Sequence, residues 1–172
     1  GERAGGGGRG LEAWPPPGTG ETHRWLGPDG SLRDAPPDAA GADGYRYDPA
    51  RPTPSLGGPV LLARAPVVDN RPLEARDDVL TFTGPALTAP FEAIGPVRVE
   101  LFVRTSEPHF DLFARVCDVA ADGVSRNVCD ALVRVAPERP APDADGVRRV
   151  AFDLWPTAHR FAAGNRVRLQ VS

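Results

Sequence analysis

The stretch VRVELFVRT at residues 97–105 constrains the fold most, because apolar side chains occupy every second position from Val97 to Val103 and charged side chains occupy all but one of the alternate positions from 98 to 104. This period of two is typical of a half-buried antiparallel strand, with one face toward a core and the other toward solvent. Phe102 interrupts the polar face, which predicts that part of that face is covered as well. The predicted inward residues are Val97, Val99, Leu101 and Val103, and the outward ones are Arg98, Glu100 and Arg104.

Similar alternation returns twice near the end of the sequence, in residues 149–154 and 166–171. A short strand is predicted at LTF, residues 80–82. Two further apolar runs flank Ala121-Asp122-Gly123, and Asp-Gly between such runs indicates a β-hairpin. Gly164-Asn165 predicts a turn before the last strand. The inward side chains predicted for the last two strands are Val150, Phe152, Leu154, Val167, Leu169 and Val171.

Short strands are also predicted at 22–26 and 31–33, around the turn Gly27-Pro28-Asp29-Gly30. A single helical turn is predicted around residues 157–161, and no other segment has a helical pattern. Six or more short strands separated by turn signals indicate an all-β fold, an antiparallel β-sandwich.

Composition divides the 172 residues into three predicted parts. Residues 1–10 read as a flexible glycine-rich linker. Residues 11–59 form an extended lead-in segment rich in Pro and Gly, with short strands, and residues 60–172 form the sandwich. The net charge of −3 does not favour a nucleic-acid partner, and no apolar run reaches the ~20 residues that span a membrane. No signal peptide is visible, and we expect the chain to be part of a larger protein.

The two cysteines, Cys117 and Cys129, stand almost symmetrically about the predicted hairpin turn and could face each other across it. A disulfide is conceivable, but buried free thiols are favoured, which is consistent with a cytoplasmic location. Two cysteines and three scattered histidines (His23, His109 and His159) lack the spacing of a zinc site. No metal and no cofactor are predicted.

Ser55 in the stretch SLGG, residues 55–58, invites comparison with a nucleophile elbow, G-x-S-x-G. The strained elbow turn needs a small residue two positions before the serine, and here that residue is Thr53, between two prolines. Prolines favour extended backbone, and no helix pattern follows Gly58. Ser55 is therefore predicted to be a loop serine.

Other chemistry-bearing residues also favour structural interpretations. His109 and Asp111 could share a strand face, but no activated nucleophile accompanies them, and His159 is typical of a surface or interface histidine. Asp77-Asp78 indicates a solvated turn. No catalytic residue is predicted. A weak calcium hypothesis groups four residues around the hairpin, which lack the spacing of a calcium loop: Asp118, Asp122, Asn127 and Asp130.

Six segments together resemble, in the same order, the C-terminal domain of the CocE/NonD hydrolases, a family that includes esterases, acylases and X-Pro dipeptidyl-peptidases. They cover nearly all of the chain after residue 11. The segments are WPPPGT (14–19), RWLGPDGSL (24–32), YDPARPTPSLGGP (47–59), residues 70–106, residues 109–134 and HRFAAGNRVRLQVS (159–172).

The resemblance implies a jelly-roll-like β-sandwich similar to galactose-binding domains. It also implies packing against an upstream α/β-hydrolase domain of the same polypeptide, which carries the Ser-His-Asp triad and whose substrate cleft this domain would help to shape. This chain alone would then be inactive. In this family further strands usually follow the position of Ser172, so we expect sheet edges that could pair with another chain, including a second copy.

A carbohydrate-binding module is the alternative, since galactose-binding-like sandwiches often bind sugars. That function needs exposed aromatic side chains. We therefore expect buried or domain-facing tryptophans for the hydrolase domain, and clustered exposed ones for a sugar module. The tryptophans concerned are Trp14, Trp25 and Trp155.

Overall fold

The computed structural model describes residues 10, 12–39, 41–59, 66–137 and 140–172, and these are almost entirely β-structure. The one helix in this part of the chain is a single turn. The elements in chain order are β1 Trp25–Leu26, β2 Leu32–Arg33, α1 Arg71–Glu74, β3 Leu80–Thr83, β4 Phe91–Val103, β5 Phe110–Val119, β6 Ser125–Val135, β7 Arg148–Phe161 and β8 Arg166–Val171.

Two antiparallel sheets form the sandwich. One has four strands in the order β3-β8-β5-β6, and the other pairs the two longest strands, β4 and β7. The apolar side chains of both inner faces meet in one cluster, which confirms the predicted all-β sandwich. Its buried members are Leu32, Phe82, Val99, Leu101, Leu112, Ala114, Cys129, Val135, Val150, Leu154, Leu169 and Val171.

The predicted strands and hairpin turns are confirmed, but two of the strands are longer than predicted, and the strand predicted at 22–26 is limited to Trp25–Leu26. β4 begins at Phe91, before Pro96, and β7 continues to Phe161. The helical turn predicted at 157–161 is wrong, because these residues pair with the beginning of β4. A bulge between Gly95 and Val97 absorbs the two prolines, Pro96 and Pro156, that would otherwise interrupt the pairing.

The helix lies instead at Arg71–Glu74, where the sequence analysis predicted none. Asn70 precedes it, and a proline lies in its first turn, a position where proline costs no helical hydrogen bond. The Asp69 carboxylate also accepts a hydrogen bond from the Arg71 amide, at 3.1 Å. These signals in DNRPLE were readable, but the helix is too short to show any apolar periodicity.

The two cysteines do not face each other, which corrects the prediction from symmetry. A register shift in the β5–β6 pair places Cys129 opposite Val116, and Cys117 opposite Asn127. Cys129 belongs to the inner cluster, whereas the Cys117 sulfur accepts a hydrogen bond from Gln170 outside it. Both are buried free thiols, as favoured from the sequence.

The β1–β2 hairpin extends the sandwich at one edge. Leu32 joins the inner cluster, and Ser31 forms an isolated bridge with Thr83 at the edge strand β3. The glycine-rich stretch lies almost wholly outside the described residues. The division at residues 10 and 59 stays a prediction.

Candidate functional site

The outer face of the four-stranded sheet carries a buried polar network, which is centred on Arg115 of β5. Arg115 is 2% exposed. Its Nε and Nη2 atoms donate to Asp130 of β6 at 3.0 and 2.9 Å. The guanidinium carbon also lies 5.0 Å from the centre of the Phe113 ring. A charge this deep is stable only when it is paired and fully hydrogen-bonded.

The remaining guanidinium nitrogen binds the loop that covers the sheet. Nη1 of Arg115 donates to the Leu56 carbonyl at 2.6 Å and to Oδ1 of Asn70 at 2.7 Å. Asn70 is fully buried and donates to the Val68 carbonyl at 3.0 Å. Arg115 therefore holds Leu56 and Asn70, which both lie far from β5 in the sequence, against the same face of the sheet.

Asn127 of β6 extends this attachment by pairing with loop backbone. Its Oδ1 accepts from the Val68 amide, and its Nδ2 donates to the Pro66 carbonyl, both at 2.9 Å. The loop is tight here. A Cβ at Gly57 would lie 2.8 Å from the Pro66 carbonyl oxygen, and one at Gly58 would lie 3.0 Å from an Asp130 carboxylate oxygen. Both glycines have positive φ, so the letters SLGG encode a close backbone approach.

Glu74 forms the second half of the network, at the end of α1. Its carboxylate accepts hydrogen bonds from Ser125 Oγ at 2.6 Å, Gln170 Nε2 at 2.7 Å and Arg168 Nη1 at 2.5 Å. Gln170 Oε1 is buried and has no hydrogen-bond partner among the described residues. The helix is thereby attached to β6 and β8.

Asp78 lies just before β3 and joins the two stretches of chain that cover this sheet, residues 53–59 and 66–79. It accepts two hydrogen bonds from Arg76, each of 2.7 Å, and one from Thr53 Oγ1 at 3.0 Å. The Arg76 guanidinium, assisted by the Thr53 hydroxyl, lowers the pKa of Asp78 to about 2. The solvated turn predicted at Asp77-Asp78 is wrong for Asp78, which is buried.

A separate polar contact joins the two sheets. His159 of β7 lies with Nε2 2.9 Å from Oδ2 of Asp118 on β5, and Asn165 donates to the other carboxylate oxygen at 2.8 Å. The Phe161 ring meets the imidazole edge-on at 4.7 Å between centroids. His159 is therefore a half-buried bridging residue. Strand pairing inferred from the sequence could not have predicted this contact, because β5 and β7 belong to different sheets.

The residues weighed as catalytic from the sequence are not brought together. Ser55 is exposed in an extended loop, and no hydrogen bond joins it to a histidine among the described residues. Asp111 pairs with Arg134 at 2.8 Å, and His109 is exposed in the preceding turn.

The calcium hypothesis fails on position. Asp118 faces His159, and Asp122 accepts a hydrogen bond within its own turn, whereas Asn127 and Asp130 belong to the Arg115 network. No group of three His, Cys, Asp or Glu side chains in the described ranges could hold a metal ion. No helix in these ranges is long and apolar enough to cross a membrane.

The outer face of the β4–β7 sheet contrasts with the covered face. Its charges pair across the strands at the surface, Arg149 with Glu100 at 2.6 Å and Arg98 with Asp153 at 3.6 Å. Phe102 is 70% exposed, so the predicted cover over this side chain is absent from the described part of the chain.

The three tryptophans divide by exposure. Trp14 and Trp155 are exposed at 52% and 61%, whereas Trp25 in β1 is half-buried, with its ring 6.0 Å from that of His23. These exposures alone therefore do not separate the buried or domain-facing tryptophans expected of the hydrolase domain from the clustered exposed ones expected of a sugar module.

Comparison with known proteins decides the family. Residues 2–172 match the family described as the X-Pro dipeptidyl-peptidase C-terminal non-catalytic domain. The chain belongs to this family. The resemblance inferred from six ordered segments is thereby confirmed.

The relatives of this domain include esterases. The chain is 35% identical to cocaine esterase of Rhodococcus sp. (strain MB1 Bresler) over 175 residues, which cover 92% of this chain and 30% of that protein. It is 27% identical to a putative serine esterase of Mycobacterium bovis, covering 94% of this chain and 30% of the relative. The chain thus spans about a third of the length of these curated relatives.

Solved structures of hydrolases contain the same fold. An aminopeptidase from a Thaumarchaeota archaeon superposes with a TM-score of 0.81 at 26% identity, covering 94% of this chain and 30% of that one. An α-amino acid ester hydrolase superposes with a TM-score of 0.74 at 30% identity, covering 87% and 28%. In both, this domain accounts for less than a third of the chain.

Proposed function

We propose that this chain is the non-catalytic C-terminal β-sandwich of a serine hydrolase whose α/β-hydrolase domain lies elsewhere in the same polypeptide. The observation that carries the proposal is the family match over residues 2–172, together with relatives of which such a chain is only about 30%. The parent reaction would be hydrolysis of an ester, an amide or an X-Pro peptide through an acyl-enzyme.

The polar chemistry of the domain supports a structural role. Charged side chains that are buried or half-buried form ion pairs with each other inside the domain: Arg115 with Asp130, and Glu74 with Arg168. Asp118 and His159 bridge the two sheets at 2.9 Å, and no serine or cysteine side chain hydrogen-bonds to this histidine among the described residues. An acyl-transfer site needs a nucleophile within hydrogen-bonding reach of its base, so none is assigned here.

The covered face suggests how the domain would serve its neighbour. Arg115 donates to the carbonyl of Leu56 and Asn127 to that of Pro66, so the backbone at these two residues is attached to the sheet. Backbone that is held in this way can present a wall of defined shape to a substrate cleft, because precise positioning needs groups that are locked by packing and hydrogen bonds. We propose this as the role of the domain beside the catalytic one.

Kinetics of the full-length protein beside the 172-residue chain test the proposal. We expect the full-length protein to hydrolyse p-nitrophenyl acetate or an X-Pro chromogenic peptide and to be inhibited by a serine-directed phosphonate. The chain alone should be inert. Burst kinetics from the chain alone would overturn the proposal, and Ser55→Ala would then be the first variant to make.

A carbohydrate-binding module is the second candidate, and the exposure of Trp14 and Trp155 is the observation that favours it. Exposed indole rings can stack on sugar rings. Titration of the full-length protein with soluble oligosaccharides, followed by tryptophan fluorescence, tests this role. Saturable quenching that Trp155→Ser abolishes would favour the sugar module over the accessory domain.

A further inference from the structure

The cover of the four-stranded sheet consists of two stretches of chain, residues 53–59 and 66–79. These stretches are bound to each other as well as to the sheet. The Gly58 amide donates to the Pro66 carbonyl at 2.9 Å, and the Thr53 hydroxyl donates to the Asp78 carboxylate at 3.0 Å. If one stretch moved away from the sheet, the other would therefore move with it.

The cover is attached to the sheet mainly by hydrogen bonds and ion pairs. Besides the side-chain contacts already described, the Asn70 amide donates to the Ser125 carbonyl at 2.8 Å. Within the described ranges, every buried polar or charged side chain except Arg148 belongs to the cover or to the strands beneath it. Each such contact contributes little net free energy, because its groups bond to water once it is broken.

The apolar core of the sandwich lies on the opposite side of this sheet. None of the residues in the inner cluster comes from the cover. Leu73 and Val79 are the buried apolar side chains of the cover, and both lie outside that cluster. If the cover left the sheet, the inner cluster would therefore stay buried between the two sheets.

Removal of the cover would also leave no charge both buried and unpaired. Arg115 and Asp130 belong to adjacent strands of the sheet, so their ion pair would persist without the cover. Glu74 and Arg168 would separate, but water would then hydrate both. The large penalty of an uncompensated buried charge is therefore absent from this movement.

We propose that the cover leaves and returns to the sheet as one cooperative unit while the β-sandwich stays folded. Segments held by few buried apolar contacts open in this way at a lower free energy than the core strands. Opening would release the backbone at Leu56 and Pro66, to which we assigned the wall of a substrate cleft. The cover can open whether or not the domain serves a hydrolase.

Hydrogen exchange of the full-length protein, resolved to single amides by mass spectrometry with electron-transfer fragmentation, tests the proposal. The hydrogen-bonded amides to follow in the cover are those of Gly58, Val68 and Asn70. We expect them to share one protection factor and one dependence on guanidinium concentration. Their protection factor should be at least about a hundredfold lower than that of amides in β5 and β8.

Three results of this measurement would overturn the proposal. Equal protection of the cover and of β5 and β8 would mean that the cover opens only when the whole domain unfolds. Different guanidinium dependences for Gly58 and Asn70 would mean that the two stretches are not one unit. Exchange of the cover at the rate of an unfolded peptide would mean that it is not closed on the sheet.

A substitution in the inner cluster distinguishes local opening from global unfolding. Val99→Ala removes apolar contacts that persist while the cover is open. It should therefore speed exchange in β5 and β8 by about tenfold and leave the amides of the cover unchanged. Equal acceleration of the cover would contradict its independent opening.

A second pair of variants tests the attachment of the cover to the sheet. Asn127→Ala removes the hydrogen bonds to Pro66 and Val68, so exchange throughout the cover should become about tenfold faster. Asn165→Ala is the matched control, because this amide binds Asp118 away from the cover. It should leave exchange in the cover unchanged. No acceleration by Asn127→Ala, or equal acceleration by both variants, would refute the proposed attachment.

Discussion

The outer faces of the two sheets are built from the same kind of strand, yet one face is covered by other parts of the chain and the other is exposed to solvent. On the four-stranded sheet, Arg115 is 2% exposed under two covering stretches of chain, residues 53–59 and 66–79. On the β4–β7 sheet, Arg149 is paired with Glu100 in the open, and its side chain is 68% exposed. Alternation in the sequence predicts that both arginines face solvent, but only the face that carries Arg149 is exposed to it.

The comparison shows what an arginine–carboxylate pair contributes in each setting. The buried pair has lost its hydration and depends on every hydrogen bond that it makes, so removing one partner leaves an uncompensated charge. The exposed pair is screened by water and salt, and its loss is small. The covered face is therefore where single substitutions should be felt.

The largest expected effect follows from removing the buried guanidinium. Arg115→Met should lower the free energy of unfolding by about 3–5 kcal/mol, because Asp130 stays buried without its partner. Arg149→Met, the matched change on the open face, should cost under about 1 kcal/mol. Urea denaturation of both variants in the full-length protein measures the difference, and equal costs would refute the contrast between the faces.

The glycines of the covering loop should give the next largest effect. Gly57→Ala combines a positive φ of 60° with a contact of 2.8 Å to the Pro66 carbonyl oxygen, so the loop must move. We expect a loss of about 2 kcal/mol or more. Gly123→Ala has a similar φ of 86° but open space around its Cβ, and should cost only the backbone strain, about 1–2 kcal/mol. A smaller loss at Gly57 than at Gly123 would contradict the tight approach of the loop.

Acid should loosen the same covering segment through Asp78. The pKa of this carboxyl is lowered from 3.8 to about 2 in the folded protein, so its stabilisation is complete only above about pH 5 and is lost progressively as the pH falls through about 2. Asp78→Asn should therefore reduce the difference in urea midpoint between pH 6 and pH 3. Asp77→Asn, its exposed neighbour, should leave the difference unchanged. An unaltered difference in the Asp78 variant would exclude the carboxylate as the cause.

The smallest expected effect is that of thiol reagents on the folded protein. Burial raises the pKa of both Cys117 and Cys129 to about 12, so neither forms a thiolate near neutral pH. In the folded protein, neither of these thiols should therefore react with a chromogenic disulfide at pH 8. Both should react with it when the protein is unfolded in guanidinium. Rapid labelling of either thiol in the native state would contradict the burial of that cysteine.

The sequence predicted the strands well because their signals are local. Alternation in VRVELFVRT and the Asp-Gly turn require nothing beyond neighbouring residues. It also predicted the family, through six ordered segments. Predictions from local signals are wrong where the structure is determined by pairing with residues that are distant in the sequence. Residues 157–161 extend β7 because they pair with residues 91–95 of β4, and the two cysteines are separated by a register shift that no symmetry of spacing reveals.

The covered face could not be foreseen for a similar reason. Arg115, Asp130 and Gln170 stand at positions that alternation alone makes solvent-facing, and their burial depends on a loop some 45–100 residues earlier in the chain. In the sequence, the glycines of SLGG match half of a nucleophile elbow, and Ser55 is predicted to be a loop serine. Only the structure shows that they bring the loop backbone close to Asp130 and Asn127.

We propose that this domain carries no nucleophile and that the rest of its polypeptide does. Labelling the full-length protein with a fluorophosphonate and mapping the modified serine by mass spectrometry tests this claim most directly. We expect a single labelled serine outside these 172 residues, and no label on Ser55. A label on Ser55, or on any other serine of this chain, would contradict it.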